Sequence, residues 1–186
     1  MPLPIFTIGH STRTVEAFVG LLRRGQVETV VDIRSVPRSR TNPQFNPDAL
    51  AAALADYQLS HTRIAELGGL RKRSPDVPPE VNAFWTNRSF HNYADYALSC
   101  DFRAGLAALN ALADERRCAI MCAEAVWWRC HRRIVADYLL FGGREVFHLM
   151  GDDRVEPARI TPDAVATREG LHYPEPRNEG RREAGA

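Results

Sequence analysis

Two cysteines, a glutamate, a histidine and three arginines crowd one short stretch of this chain. Met121 to Arg132 reads MCAEAVWWRCHR, and Arg133 follows. The apolar run Cys118-Ala119-Ile120-Met121 before it reads as a buried strand, and Ile134 to Leu140 after it reads as a helix. In an open α/β sheet such a strand-to-helix turn lies at the carboxyl edge, where ligands bind. A helix N-terminus and neighbouring positive charge lower a thiol pKa, so Cys130, beside His131 and Arg132, is a candidate nucleophile. Cys122 and Arg129 form a Cys-x6-Arg pattern, similar to the anion cradles of cysteine-dependent phosphatases and rhodaneses, though not at the phosphatase spacing. A metal is a second reading: Cys122, Cys130, His131 and His10 are all potential zinc ligands, but no Cys-x2-Cys pair accompanies them. Packing is a third, because cysteine is among the most buried residue types. Cys100 and Cys118 are assigned to packing.

His10 and Ser11 follow a first apolar strand, and His10 has the chemistry of a general acid or base near neutral pH. Glu124 is a candidate base or the partner of an arginine. Asp32 falls inside an apolar strand, where an unpaired charge is costly, so it needs a partner such as Arg34 or a backbone amide. Arg34, Arg38 and Arg40 lie on a proline-constrained loop and suit a phosphate or carboxylate; Arg129 and Arg132 add to this set, with His131 as a part-buried orienting group. Of 24 basic residues only Lys72 is a lysine, so arginine is this chain's default cation and only clusters of it carry weight.

With 186 residues, 45% hydrophobic and 25% charged, the chain fits one soluble domain, placed at 1–172, with a tail at 173–186 expected to be disordered. A net charge of +1 gives no global pull toward nucleic acid. No apolar run approaches a membrane span, and MPLPIFTIGH lacks the features of a signal peptide, so a cytoplasmic, reducing setting is expected. The pattern predicts five strands at Pro4–Gly9, Glu28–Arg34, Leu59–Ile64, Arg117–Cys122 and Glu145–Leu149. Helices are predicted over Val15–Leu22, from Asn46-Pro47-Asp48 to Tyr57, from an Asp101 cap to Ala113, and over Cys130–Phe141. Residues 65–99, with Gly68-Gly69, several prolines and five aromatics, read as a long insertion or lid with a short helix near Asn92–Leu98. Phe84 and Tyr93 are read as packing, whereas Trp85 and Phe90 could equally stack on bases, next to the basic run Arg71-Lys72-Arg73.

Strands alternating with helices predict a three-layer, Rossmann-like fold: an open, mostly parallel five-stranded sheet with helices on both faces. A strand order of 3-2-1-4-5 places the His10 and Cys122–Glu124 turns side by side at the switch point.

Five ordered motifs, TIGHS at 7–11, DIRSVPRSR at 32–40 with Pro43 and Phe45, LGG at 67–69, Tyr93-Ala94-x-Tyr96 and CAE…CHR at 122–132, resemble the family known as domain of unknown function 488. The resemblance runs from about residue 5 to 150 and implies a compact α/β domain without a settled reaction. The chain departs from it between CAE and CHR, where a usually polar linker is Ala125-Val126-Trp127-Trp128-Arg129.

These readings converge on an enzyme that binds an anionic, phosphate-bearing small molecule or nucleic-acid component. His10, Glu124, Cys122 and Cys130 would carry the chemistry, and Ser11, Arg34, Arg38, Arg40, Arg129, His131 and Arg132 would hold the ligand. No metal or other cofactor is called for. A non-catalytic nucleic-acid-binding module and a thiol or metal sensor are the alternatives, and the oligomeric state is not encoded legibly.

Overall fold

The computed structural model describes residues 2–176. The apolar segments expected to be strands are strands: β1 (Ile5–Gly9), β2 (Thr29–Asp32), β3 (Ser60–Arg63), β4 (Cys118–Cys122) and β5 (Val146–Leu149). A sixth, β6 (Val155–Pro157), escaped the sequence reading and pairs antiparallel with β5; every other pairing in this sheet is parallel. Two further short strands, β7 (Val165–Ala166) and β8 (Leu171–His172), form a separate ribbon.

The strand order is β3-β2-β4-β1-β5-β6, which corrects the expected 3-2-1-4-5. β4 inserts between β2 and β1 instead of lying beyond β1. All five residues of β4 are buried, as a strand covered on both faces and flanked on both edges requires. Hydrophobic periodicity identifies such a strand but does not rank it against β1, which is equally buried. The β1–β4 neighbourhood on which the site depends is preserved, because β1 is paired with both β4 and β5.

Alternation along the strands builds two cores. Phe6, Ile8, Val30, Ala119 and Met121 face α1 (Val15–Arg24) and α2 (Pro47–Asp56), meeting Phe18, Leu22, Leu50 and Leu54. Ile5, Val31, Cys118, Ile120 and Val146 face the other way, onto α4 (Cys100–Glu115) and α5 (Arg132–Phe141). So the loop after β1 leads to one face and the loop after β4 to the other. Diverging connections of this kind leave a crevice at a switch point.

The helix ends follow local chemistry, with three departures from expectation. Ser99, rather than Asp101, caps α4 by accepting from the Phe102 amide. The predicted helix from Cys130 starts instead at Arg132, after a single 3-10 turn at Trp127–Arg129, so Cys130 stands just outside the helix. The insertion carries α3 (Arg88–Tyr96), a little earlier than expected, capped by the Asn87 side chain. Its aromatics are mostly interior: Tyr93 is fully buried and Trp85 is buried against Phe90 at 4.9 Å between ring centroids.

Tyr173 falls in the segment expected to be a disordered tail, yet it is fully buried. Its hydroxyl donates to Asp137 Oδ2 at 3.0 Å, and its amide donates to Val81 O at 3.0 Å. The remainder of that tail, 177–186, lies outside the described residues. Asp137 also accepts from the Thr161 amide at 2.8 Å, so its carboxyl group clasps the C-terminal segment to α5. Burial raises the Asp137 pKa, and the bonds from Thr161 and Tyr173 oppose that rise. Tyr173→Phe keeps the ring and removes one of these donors. It is expected to lower unfolding free energy by about 1–3 kcal/mol in urea titration, the cost of a buried acceptor left short of a donor; an unchanged midpoint would show that this clasp carries no stability.

Candidate functional site

A cleft of about 310 Å³ opens at the carboxyl edge of β2 and β4, bordered by residues that include Arg34, Val36, Leu70, Phe90, Cys122, Glu124, Arg129, Cys130 and His131. It lies between the loops that follow β2 and β4, the insertion and the start of α3. Backbone hydrogen bonds continue the β1–β4 ladder into this edge: the His10 amide donates to Cys122 O at 2.9 Å and the Ser11 amide to Ala123 O at 3.0 Å. Gly9 permits the crossing. A Cβ there would lie 1.9 Å from Glu124 O, so only glycine lets the β4 loop fold down over β1.

The two thiols meet on the α5 side. Cys122 Sγ and Cys130 Sγ are 2.7 Å apart, and both residues are buried with free thiols. Cys130 Sγ also accepts from the Arg132 backbone amide at 3.5 Å and from its Nε at 3.4 Å, so the sulfur sits over the start of α5. His131 Nδ1 is 3.5 Å from the same sulfur, and its Nε2 is held 3.0 Å from Ile33 O. Gly69 makes room for that ring, since a Cβ at this position would come within 2.4 Å of His131 Nδ1.

Arg132 is the electrostatic centre of the arrangement. It is 1% exposed. Its guanidinium donates to Glu124 O at 2.6 Å, to Thr7 Oγ1 at 3.4 Å and to Cys130 Sγ. The ion pairs among the described residues include no carboxylate for it. A buried cation without a counter-charge costs several kcal/mol, and the sulfurs are the acidic groups within its reach. Burial alone would lower the Arg132 pKa; the charge of Cys122 and Cys130 turns the shift upward. For Cys130, burial pulls the pKa up, but the hydrogen bond from Cys122, the charge of His131 and that of Arg132 outweigh it and bring it well below the ordinary thiol range. Cys122 shifts the other way, raised by burial and by its bond to Cys130. The two thiols titrate as a coupled pair, their shared hydrogen bond raising one and lowering the other.

A second polar cluster sits on the α1–α2 side. Asp32 and Arg34 form a buried ion pair, with Nη2–Oδ2 at 2.6 Å and the Arg34 amide on Oδ1 at 3.0 Å, the two kinds of partner expected for Asp32. Arg34 also donates to Phe45 O at 2.7 Å and lies 3.2 Å from His10 Nε2 through Nη1. His10 Nδ1 is 2.8 Å from Ser11 O, and its ring stacks on Phe45 at 4.4 Å. With Arg34 donating to Nε2, Nδ1 carries the proton and His10 is neutral; burial lowers its pKa. Both ring nitrogens are occupied, so His10 positions the edge of β1 and holds Arg34 in place.

The remaining expected residues divide cleanly. Glu124 is exposed on the cleft, where its carbonyl, rather than its carboxylate, makes the bond to Arg132. Arg129 is exposed on the same rim. Arg38 and Arg40 are exposed and do not border the cleft; Asn46 Oδ1 pins their loop by accepting from Ser39 N at 2.7 Å. Ser11 is half-buried, with φ at +47°, and is not among the bordering residues. Arg71 is turned inward, donating to Gly68 O at 2.9 Å and lying 3.7 Å over the Tyr96 ring. Among the described residues no group of three or more His, Cys, Asp and Glu could hold a metal ion.

The sequence reading missed Thr7 and His148. Thr7 Oγ1 is 2.8 Å from His148 Nδ1, and the His148 ring stacks on Trp127 at 4.4 Å. Each is a polar residue inside an otherwise apolar strand, IFTIG and VFHL, and that is the signal that could have found them. Burial, helped by the Arg132 charge, pushes the His148 pKa down to about 3. Between the ordinary value of 6.5 and about 3, the unfolded chain takes up a proton that the folded site refuses, so this histidine removes stability as pH falls through that window. NMR titration of the His148 ring is expected to show it neutral throughout the window, and Arg132→Met to raise its midpoint; an ordinary midpoint near 6.5 would contradict the burial of this ring.

No helix among the described residues is long and apolar enough to cross a membrane. Neither comparison, with curated proteins or with solved structures, finds a match. A family model described as Domain of unknown function DUF488 matches residues 14–139, from the start of α1 through most of α5, including both site cysteines. The chain belongs to that family.

Proposed function

We propose that this protein is a cysteine-dependent enzyme acting on a small electrophilic molecule in the carboxyl-edge cleft. Cys130 is the nucleophile. The observation that carries the reading is the buried Arg132 guanidinium, which has a sulfur where a carboxylate would ordinarily stand. That cation stabilises a thiolate at neutral pH, the form in which cysteine attacks. His131, anchored through Ile33 O, has Nδ1 at the sulfur and borders the cleft, so it serves as the proton carrier for the leaving group. Arg129, exposed on the rim, is positioned for an anionic group on the substrate, and Val36, Leu70 and Phe90 supply an apolar wall. Free cysteines suit a reducing, cytoplasmic setting.

The nucleic-acid-binding alternative draws less support. The insertion's Trp85 and Tyr93 are buried and Arg71 is folded onto Tyr96, so few of the stacking and phosphate-binding groups it needs face solvent.

The test follows the thiolate. In a Cys100→Ser background, which removes the exposed thiol, ultraviolet thiolate absorbance and iodoacetamide labelling are followed against pH. Labelling at Cys130 is expected to hold nearly level from pH 8.5 down to pH 6.5, an interval over which an ordinary thiol slows roughly 50-fold. Cys130→Ser should abolish both signals, and Arg132→Met should move the profile up by at least about one pH unit. An ordinary thiol titration at Cys130 would overturn the reading.

A further inference from the structure

The position of Cys122 narrows the substrate class. Its residue is 3% exposed, and its Sγ lies 2.7 Å from Cys130 Sγ, with Glu124 O the next polar contact at 3.8 Å. Cys122 borders the cleft but is almost fully enclosed, and the reactive atom nearest its sulfur is the sulfur of Cys130 and whatever is bonded to it. Closing the pair to a bonded length of about 2.05 Å takes a movement of roughly 0.7 Å.

That placement is chemically selective. If Cys130 carried an acyl or phosphoryl group, attack by Cys122 would pass the group to a buried thiol, a dead end. If Cys130 carried a sulfur substituent, attack by Cys122 on Cys130 Sγ would expel the substituent as a thiolate and leave a disulfide. The second outcome is productive, and the first is not. A hydroperoxide would need only a niche around one sulfur, whereas a cleft of about 310 Å³ walled by Val36, Leu70 and Phe90 accommodates an organic group on the leaving side.

Resting on the nucleophile reading above, we propose that the substrate is a low-molecular-weight organic disulfide, reduced by Cys130 and Cys122 acting in turn. In the first step the Cys130 thiolate forms a bond to one substrate sulfur. The substrate S–S bond breaks, and the first thiolate leaves, taking up a solvent proton relayed by His131. In the second step Cys122 gives up its proton and attacks Cys130 Sγ. The Cys122–Cys130 bond forms, the mixed disulfide breaks, and the second thiolate leaves with that proton. Two electrons pass from the protein dithiol to the substrate, which becomes two thiols. A small-molecule dithiol restores the reduced pair by the reverse exchange. Arg132 stabilises the Cys130 thiolate before the first step and as the leaving sulfur on reset.

The test uses full-length reduced protein with Cys100→Ser and an aromatic dipyridyl disulfide as probe, with thiopyridone release and protein mass recorded. The Cys100→Ser protein is expected to release about two equivalents and to finish with Cys122 and Cys130 joined, lighter by two hydrogens. Adding Cys122→Ser, which keeps a hydrogen-bond donor at that position, should stop the reaction at a Cys130 mixed disulfide after about one equivalent. A lasting mixed disulfide with both cysteines present would overturn the disulfide proposal while leaving Cys130 as nucleophile. No reaction with either this probe or iodoacetamide would overturn both. A Cys122→Ser protein that still releases the second equivalent would show that Cys122 is not the resolving thiol, which also overturns the proposal.

Discussion

The burial of one guanidinium sets the terms for the functional edge of this molecule. Arg132 begins α5, and its side chain runs back beneath the loop that the helix follows. Its hydrogen bond to Glu124 O shapes the turn after β4, its contact with Thr7 ties that turn to β1, and its charge requires a negative partner. Removing one member of a buried charge pair ordinarily costs about 3–5 kcal/mol. The sulfurs that stand against Arg132 are thus part of what holds the local fold. Structure and reactivity share one electrostatic debt, and neither can be altered alone.

The sheet divides the polar residues between its two faces, and this division sorts their roles. Asp32, Arg34 and His10 face the α1–α2 side, where each finds protein partners and is consumed by them. Cys122, Cys130, Thr7 and Arg132 face the α5 side, where the partners are sulfur, hydroxyl and carbonyl groups. A constellation that looks continuous along the carboxyl edge is two constellations back to back. The first is scaffold. Both reach the cleft, the first through Arg34 and the second through the two thiols.

How much of this was legible in the sequence follows from what each pattern encodes. Strand and helix positions were readable because apolar runs and helical stripes report burial directly. The turn at Cys122–Cys130 stood out as a candidate site because packing alone does not require a mixture of thiols, imidazole and guanidinium. Strand order was not, since β1 and β4 carry the same all-buried pattern and nothing local ranks them. Nor was the division between Arg34 and Arg132: both are arginines beside a strand end, and only the tertiary partner, Asp32 in one case and a sulfur in the other, separates a scaffold ion pair from an activating charge. The burial of Tyr173 was hidden for a related reason, because one tyrosine in a polar segment leaves no periodic signature.

The central place of β4 has a consequence for how the chain comes together. β4 is paired with β2 on one side and β1 on the other, while β1 and β2 are not paired with each other. During synthesis, the first half of the chain emerges with β2–β3 and β1 as separate pieces, and the keystone strand at Cys118–Cys122 arrives only after the insertion and α4 have been made. Sheets assembled through such distant pairings close late and pay their loop entropy before the contacts reward it. The same late segment carries the thiols and, one turn on, Arg132. The polar turn is therefore completed only when the sheet closes, because both cysteines and Arg132 belong to the segment made after β1, β2 and β3.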